Sequence, residues 1–207
     1  LPAPARAVMQ KVLAEITGQL VQIKALTRQL QGNVRQSQAA RQQAEQDSMT
    51  DALTGLLNRR GFEELAPKAF DYARARRGDV VLAFIDLDGM KQINDGEGHE
   101  RGDLALQAAA QTLRASFRAQ DLIARWGGDE FVVLSILNPM SDHDIECRLI
   151  EQAAKICSAS ASTPLIRFST GMVREHLAAD SQLSSLLAAA DARMYNVKKA
   201  RRAARQR

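Results

Sequence analysis

The feature that most constrains the fold is a pair of adjacent glycines, Gly127-Gly128, set between two apolar stretches. Residues 122–124 and 131–134 are apolar and partly β-branched, a composition typical of buried strands. Glycine reaches positive φ at little cost, so the pair favours a two-residue turn between these strands. The sequence therefore predicts a buried β-hairpin, with Asp129 and Glu130 at its tip.

Two adjacent carboxylates at the tip of a rigid hairpin are suited to a hard divalent cation, which prefers oxygen ligands. Asp86 and Asp88 follow residues 80–85, which we predict to form another buried strand. A shared sheet would place Asp86 opposite Asp129 and Glu130. Because three carboxylates repel each other unless a cation neutralises them, this arrangement predicts one or two Mg²⁺ ions with phosphates completing the coordination. The alternative is an ordinary exposed turn.

The remaining sequence alternates predicted helices and strands, which indicates an α/β sandwich with an antiparallel-rich sheet. The predicted helices cover residues 59–76, 103–117, 142–160 and 181–199, a further strand covers 165–173, and a polar, glycine-rich loop covers 94–103. Gly89 stands where the strand over 80–85 turns into a helix, a position at which backbone amides can approach a phosphate closely.

Residues 1–46 form a segment of different composition, rich in Gln, Ala and Arg, and we call this segment the stalk. Its apolar positions alternate in spacings of four and three, a heptad seam that predicts a coiled-coil-like helix. The seam residues are Met9, Leu13, Ile16, Leu20, Ile23, Thr27, Leu30 and Val34, and it weakens through Ser37, Arg41, Ala44 and Ser48. So narrow an apolar stripe cannot be buried by a single helix, so it needs a partner, either a second copy of the chain or a regulatory protein. The alternative interpretation of this segment is a frayed linker helix. Residues 47–207 form the globular domain.

The net charge of +4 is unevenly distributed, because Lys198, Lys199, Arg201, Arg202, Arg205 and Arg207 contribute +6 and leave −2 for the rest. We therefore expect no nucleic acid polymer as a partner. Neither of the two cysteines has zinc or disulfide spacing, so we expect a cytoplasmic domain with reduced thiols. No apolar run is long enough to span a bilayer. The chain begins with Leu1 and shows no signal peptide, so we expect a missing N-terminal region, which could tether the full-length protein to a membrane.

The motifs together resemble the GGDEF family of diguanylate cyclases, which make cyclic di-GMP from two GTP. The residues that carry the resemblance are Gly127-Gly128-Asp129-Glu130-Phe131. Residues 51–60 and 84–88, then Asn94-Asp95, Gly98-His99, Gly102-Asp103, Ala190-Asp191, Met194-Tyr195 and Lys198, follow in the family's order. The resemblance covers about residues 47–203 and implies the family's α/β sandwich with a mostly antiparallel sheet.

The resemblance also implies a role for each matching position. Asp86, the carbonyl of Leu87, Asp129 and Glu130 would hold Mg²⁺, with Mn²⁺ as a possible substitute. Asp129 would also accept the proton of the attacking 3′-hydroxyl, and Lys91 would stabilise phosphate charge in the transition state. The matching nucleotide-binding positions are Asn94, His99 and Asp103, together with Lys198 and Arg202, which would reach the phosphates. If the ligand is a nucleotide, an ionised aspartate favours guanine, because guanine presents N–H donors to the carboxylate whereas adenine would present an acceptor.

Arg118 and Asp121 form an Arg-x-x-Asp motif with five residues between Asp121 and Gly127. This motif resembles the inhibitory product site of the family, since arginine can grip guanine or phosphate and aspartate can accept from guanine. A surface Arg–Asp pair is the alternative. The chain departs from the family at Gly89-Met90, and at Arg201, where glycine is usual.

Three functions follow as hypotheses. The first is an active, product-inhibited diguanylate cyclase in which each domain holds one GTP and two domains face each other in a homodimer. The second is a catalytically silent cyclic di-GMP receptor that uses Arg118 and Asp121. The third is an interaction module whose stalk recruits a protein on which activity depends, and it is compatible with the first.

Overall fold

The computed structural model describes residues 15–20, 22–24, 26–35, 37–38, 49–136, 140–160 and 162–205. The chain divides into two units, Leu1–Ser48 and Met49–Arg207. The described residues of the first unit are helical. Ile16, Leu20, Ile23, Leu30 and Val34 of the seam are between 50% and 63% exposed, so the described residues of this unit leave the predicted apolar stripe uncovered. Met9, Leu13, Arg41, Ala44 and Ser48 lie outside the described residues.

The second unit is an α/β sandwich whose strands and helices alternate along the chain. Its elements are β1 (Leu57–Asn58), α1 (Arg59–Ala75), β2 (Asp79–Leu87), α2 (Met90–Glu97), α3 (His99–Ser116), β3 (Leu122–Gly127), β4 (Glu130–Ile136), α4 (Asp142–Ser158), β5 (Phe168–His176) and α5 (Leu183–Arg205). The strands form one sheet in the order β1-β3-β4-β2-β5, antiparallel except for the β1–β3 pair. The predicted fold class is confirmed.

Strand β2 is buried on both faces because helices cover both sides of the sheet. Val81, Ala83 and Ile85 point into a core shared with α3 and α4, whereas Val80 and Leu82 point into a second core shared with α1 and α5. This double burial explains why the strand reads as a continuous apolar run instead of an alternating one. It also fixes the end of β2, where the acidic residues begin.

The central hairpin forms as predicted. Strands β3 and β4 pair antiparallel, and Gly128 takes φ of +54°, the conformation that favours glycine. The turn residues are Gly128 and Asp129, because Gly127 still pairs with Glu130 as the last residue of β3. Trp126, which precedes the turn, packs edge-on against Phe62, with the ring centroids 5.8 Å apart.

Two local predictions are wrong. Residues 94–103 are almost entirely helical, because α2 and α3 are separated only by Gly98, whose φ is +87°. The apolar side chains of Met90 and Ile93 pack into the core and hold α2 in place despite its polar composition. The strand predicted at 165–173 lies at Phe168–His176, because β5 pairs with the full length of β2, from Leu87 opposite Phe168 to Asp79 opposite His176.

Candidate functional site

The end of β2 lies beside the hairpin tip, as the sequence predicts. Asp86 stands opposite Glu130 in the β2–β4 register, and the backbone N–H of Leu87 donates to the carbonyl of Asp129 at 2.9 Å. Strand β5 pairs with the other edge of β2, with Ser169 opposite Asp86, and Asp86 is fully buried, at 0% exposure. The sheet therefore brings acidic residues from two separate segments to one place.

The Asp86 carboxylate is only partly satisfied. Its Oδ2 atom accepts from Nζ of Lys198 on α5, while its buried Oδ1 atom has no hydrogen-bond partner in the described part of the chain. Burial raises the pKa of Asp86, and the negative charges of Asp129 and Asp88 add to that rise while Lys198 opposes it. An unpaired buried acceptor costs about 1–3 kcal/mol, so Oδ1 is suited to receive a positively charged ligand.

Glu130 is in a similar electrostatic position. Burial raises the pKa of Glu130, and the charges of Asp86 and Asp129 raise it further. Nevertheless, no three acidic, histidine or cysteine side chains of the described residues converge closely enough to hold an ion. The three predicted carboxylates are therefore close enough to influence each other's charge but do not form a closed set of ligands, and Lys198 pairs with Asp86.

A cavity of about 450 Å³ opens at this place. Its lining includes the acidic side chains of Asp86 and Asp129 and the basic side chains of Lys91, Lys198 and Arg202. The remaining lining residues are Leu87, Asp88, Gly89, Met90, Gln92 and Arg201. Acidic groups that attract a cation and basic groups that attract phosphate therefore share one cavity, which is the charge pattern a metal–nucleotide complex requires.

Asn94, His99 and Asp103 lie at the corner between α2 and α3, outside the lining of this cavity. Glu130, at the start of β4, is also outside that lining. The Oδ1 atom of Asn94 occupies the space next to Gly102, only 2.0 Å from where a Cβ would stand. Glycine at 102 therefore lets the two helices pack closely around Asn94. His99 and Asp103 are exposed and available to a ligand.

The Arg-x-x-Asp motif forms a turn after α3. Asp121 Oδ2 accepts from the backbone N–H of Arg118 at 2.8 Å, and its Oδ1 accepts from Ser135 Oγ at 2.8 Å. Asp121 is buried, whereas Arg118 is exposed. The aspartate is thus engaged in the turn, and only the arginine is presented to solvent.

Sequence reasoning missed the role of Arg125. Its Nε and Nη2 atoms donate to the Gly128 carbonyl at 3.0 and 2.8 Å, and its Nη1 pairs with Asp51 Oδ2 at 3.1 Å. The arginine therefore fixes the turn that carries Asp129 to the first residues of the globular unit. Its position two residues before Gly127 was the available signal, but its partner lies 74 residues away.

The comparisons with known proteins agree with this geometry. Residues 48–204 match the family model of the diguanylate cyclase GGDEF domain, so the chain belongs to the GGDEF family. Diguanylate cyclase DgcM of Escherichia coli is 34% identical over 157 residues, which are 76% of this chain and 38% of DgcM. The chain thus spans less than two fifths of that relative.

Solved structures show the same fold. The GGDEF domain of DgcB from Caulobacter crescentus in complex with c-di-GMP aligns with a TM-score of 0.64 at 27% identity, covering 74% of this chain and 92% of that one. Diguanylate cyclase SiaD of Pseudomonas aeruginosa, in complex with its activator SiaC, aligns with a TM-score of 0.65 at 24% identity, covering 96% of this chain and 76% of that one. Among the described helices of the present chain, none is long and apolar enough to cross a bilayer.

Proposed function

We propose that this chain is an active diguanylate cyclase that condenses two GTP into 3′,5′-cyclic di-GMP and releases two pyrophosphates. The observation that carries the proposal is the Asp86 carboxylate, which is buried and leaves Oδ1 unpartnered among the described residues. The cavity that Asp86 lines also presents basic side chains to a triphosphate. A domain without turnover would have little reason to keep so costly a group there.

The donor set fits a hard divalent cation, because every proposed ligand is an oxygen. Asp86, the Leu87 carbonyl, Asp129 and Glu130 would hold Mg²⁺, or Mn²⁺ in its place. The cation would neutralise charge on the phosphate oxygens when bound. Lys198, which neutralises Asp86 in the structure, could then turn to the phosphates together with Arg202.

The remaining residues would bind GTP and orient its reacting groups. Asn94, His99 and Asp103 would hold the guanine nucleoside, and the unpaired-acceptor argument selects guanine over adenine. Asp129, fixed on its turn by Arg125, would accept the proton of the 3′-hydroxyl as it attacks the α-phosphate of the other GTP. Lys91 would stabilise the charge of the transition state. Positioning and charge neutralisation supply most of the catalysis, and a general base adds about 10²–10⁴-fold.

Two domains must meet, because each would contribute one GTP. The exposed seam of the stalk would pair two copies and so raise the local concentration of the second domain. The same stripe could instead bind a regulatory protein, and SiaD is a diguanylate cyclase that has been solved in complex with its activator SiaC. Arg118, with Asp121 shaping its turn, would bind the product and inhibit the enzyme.

The test is to incubate the whole chain with GTP and Mg²⁺ and to quantify cyclic di-GMP and pyrophosphate. Both products should form in a 1:2 ratio, and a chelator should stop the reaction. Cyclic di-GMP binding without turnover would instead establish the silent receptor. A chain lacking residues 1–46 should lose specific activity at high dilution and regain it when concentrated; equal activity at every concentration would remove the proposed role of the stalk.

A further inference from the structure

Asp88 lies between β2 and α2 and is held by partners from several elements. Ser169 Oγ on β5 donates to its Oδ1 atom at 2.7 Å, and Arg201 Nη1 on α5 donates to its Oδ2 atom at 3.0 Å. The backbone N–H of Asp88 donates to the Arg167 carbonyl at 2.8 Å. The Asp88 side chain is only 10% exposed, so these contacts satisfy a carboxylate that water reaches poorly.

Arg201 connects α5 to the start of β5 as well as to Asp88. Its Nη1 atom also donates to the carbonyl of Phe168, and the side chain is half exposed. It lines the nucleotide cavity and also a neighbouring cavity of about 550 Å³, whose other lining includes Leu149, Ala153 and Phe168. The guanidinium therefore forms part of the wall between the two cavities.

The fold holds the residues on both sides of the Asp88-Gly89 turn, because Leu87 belongs to β2 and the side chain of Met90 packs into the core. Gly89 is the N-cap residue of α2, has φ of +85° and makes no side-chain capping bond. Lys91 is exposed one residue into the helix proper, and Leu87 precedes the anchor. Since glycine is the most flexible residue, the course of the turn at Gly89, and with it the position of Lys91 relative to the cavity, depends in part on how firmly Asp88 is held.

We propose that Arg201 is a positioning residue that fixes residues 88–91 through Asp88 before nucleotide arrives. Its guanidinium is committed to Asp88 and to the Phe168 carbonyl, whereas the nearby Arg202 also lines the nucleotide cavity and has no ion pair among the described residues. Arg201 thus affects the reaction through the turn that Asp88 and Gly89 form before α2. Arg202, whose side chain is not committed to such contacts in the described part of the chain, is the better phosphate ligand. The catalytic part of this inference rests on the proposed function.

A double-mutant cycle separates positioning from direct phosphate binding. We expect Arg201→Gln and Asp88→Asn each to lower kcat by about tenfold, with the KM for GTP changed less than about twofold, because Lys91 would act in the transition state. The double variant should be no slower than the worse single variant. Multiplying effects, or a loss confined to KM, would show that Arg201 binds phosphate itself and would overturn the proposal.

A second measurement does not depend on turnover. Amide hydrogen exchange over residues 88–91 should be faster in Arg201→Gln than in the unmodified chain. Lys199→Gln, which removes an exposed positive charge of the same helix outside both cavities, should leave that exchange and kcat unchanged. Unchanged exchange in Arg201→Gln, with thermal unfolding confirming that the variant is folded, would overturn the positioning role. An unmodified chain without turnover would overturn the proposed function, and the exchange result would still decide the link between Arg201 and the loop.

Discussion

The two buried aspartates, Asp86 and Asp121, differ in how their charge is compensated. Both oxygens of Asp121 accept hydrogen bonds, from the Arg118 backbone and from Ser135 Oγ. One oxygen of Asp86, Oδ2, accepts a hydrogen bond from Lys198, and the other, Oδ1, has no partner among the described residues. The comparison teaches that burial alone does not indicate a ligand site. A buried carboxylate with both oxygens hydrogen-bonded stabilises a turn. A buried carboxylate with an unpaired oxygen costs free energy, and a bound cation would offset that cost.

The largest expected difference between the two aspartates is in turnover. Asp86→Asn should lower the rate of cyclic di-GMP formation by at least about 100-fold, because it removes a charge directed at the phosphate chemistry. Asp121→Asn makes the same chemical change at the satisfied site and should retain turnover within about threefold. Initial rates at saturating GTP and Mg²⁺ measure both. Similar losses in the two variants would remove the distinction.

Stability should change most at Asp121. The amide of Asp121→Asn places an N–H₂ group where an acceptor faced a donor, so the free energy of unfolding should fall by about 1–3 kcal/mol. Urea denaturation monitored by circular dichroism provides the measurement. Ser135→Ala, which removes only the hydroxyl donor, should reproduce part of the loss. An unchanged unfolding midpoint in both variants would contradict the assignment of Asp121 to the turn.

Product inhibition should depend on the exposed member of the motif. Arg118→Ala should raise the concentration of cyclic di-GMP that halves the rate by about tenfold, because charge-assisted hydrogen bonds contribute about 1.5–3 kcal/mol. Gln120→Ala alters an exposed residue of the same turn and serves as the matched control. Equal inhibition in the unmodified chain and in Arg118→Ala would reject this product site.

The smallest expected effect is a pH dependence of stability without nucleotide. Burial raises the pKa of Asp86, so the folded state favours the protonated carboxyl group. The stability gained from this preference is fully present below the unfolded pKa of about 4 and is lost as pH rises through the folded pKa. Asp86→Asn should therefore unfold at a higher temperature than the unmodified chain at pH 7, and the advantage should shrink as pH falls. Differential scanning calorimetry at pH 7 and pH 5 measures the difference in unfolding temperature. If the advantage of Asp86→Asn grew on acidification, folding would lower the pKa of Asp86 instead of raising it.

Much of the fold was predictable because its signals are local. The glycine pair between apolar stretches predicted the hairpin, and the helices predicted at 59–76 and 142–160 agree closely with α1 and α4, whereas α5 extends to Arg205, beyond its predicted end at residue 199. The register of β5 and the helical nature of residues 94–103 were missed. In both cases the deciding contacts come from β2 or from the core, and the local composition does not report them.

The sequence by itself determined which residues are acidic, which turn carries Asp129 and which family the motifs resemble. Only the tertiary structure decided how each carboxylate is compensated, because the partners are far apart in the chain. Lys198 lies 112 residues from Asp86, and Arg201 lies 113 residues from Asp88. Such pairs form only after the sheet has brought β2 against β5 and α5 has packed across them. Hydrogen bonding and burial then distinguish a carboxylate that holds the fold from one that awaits a ligand.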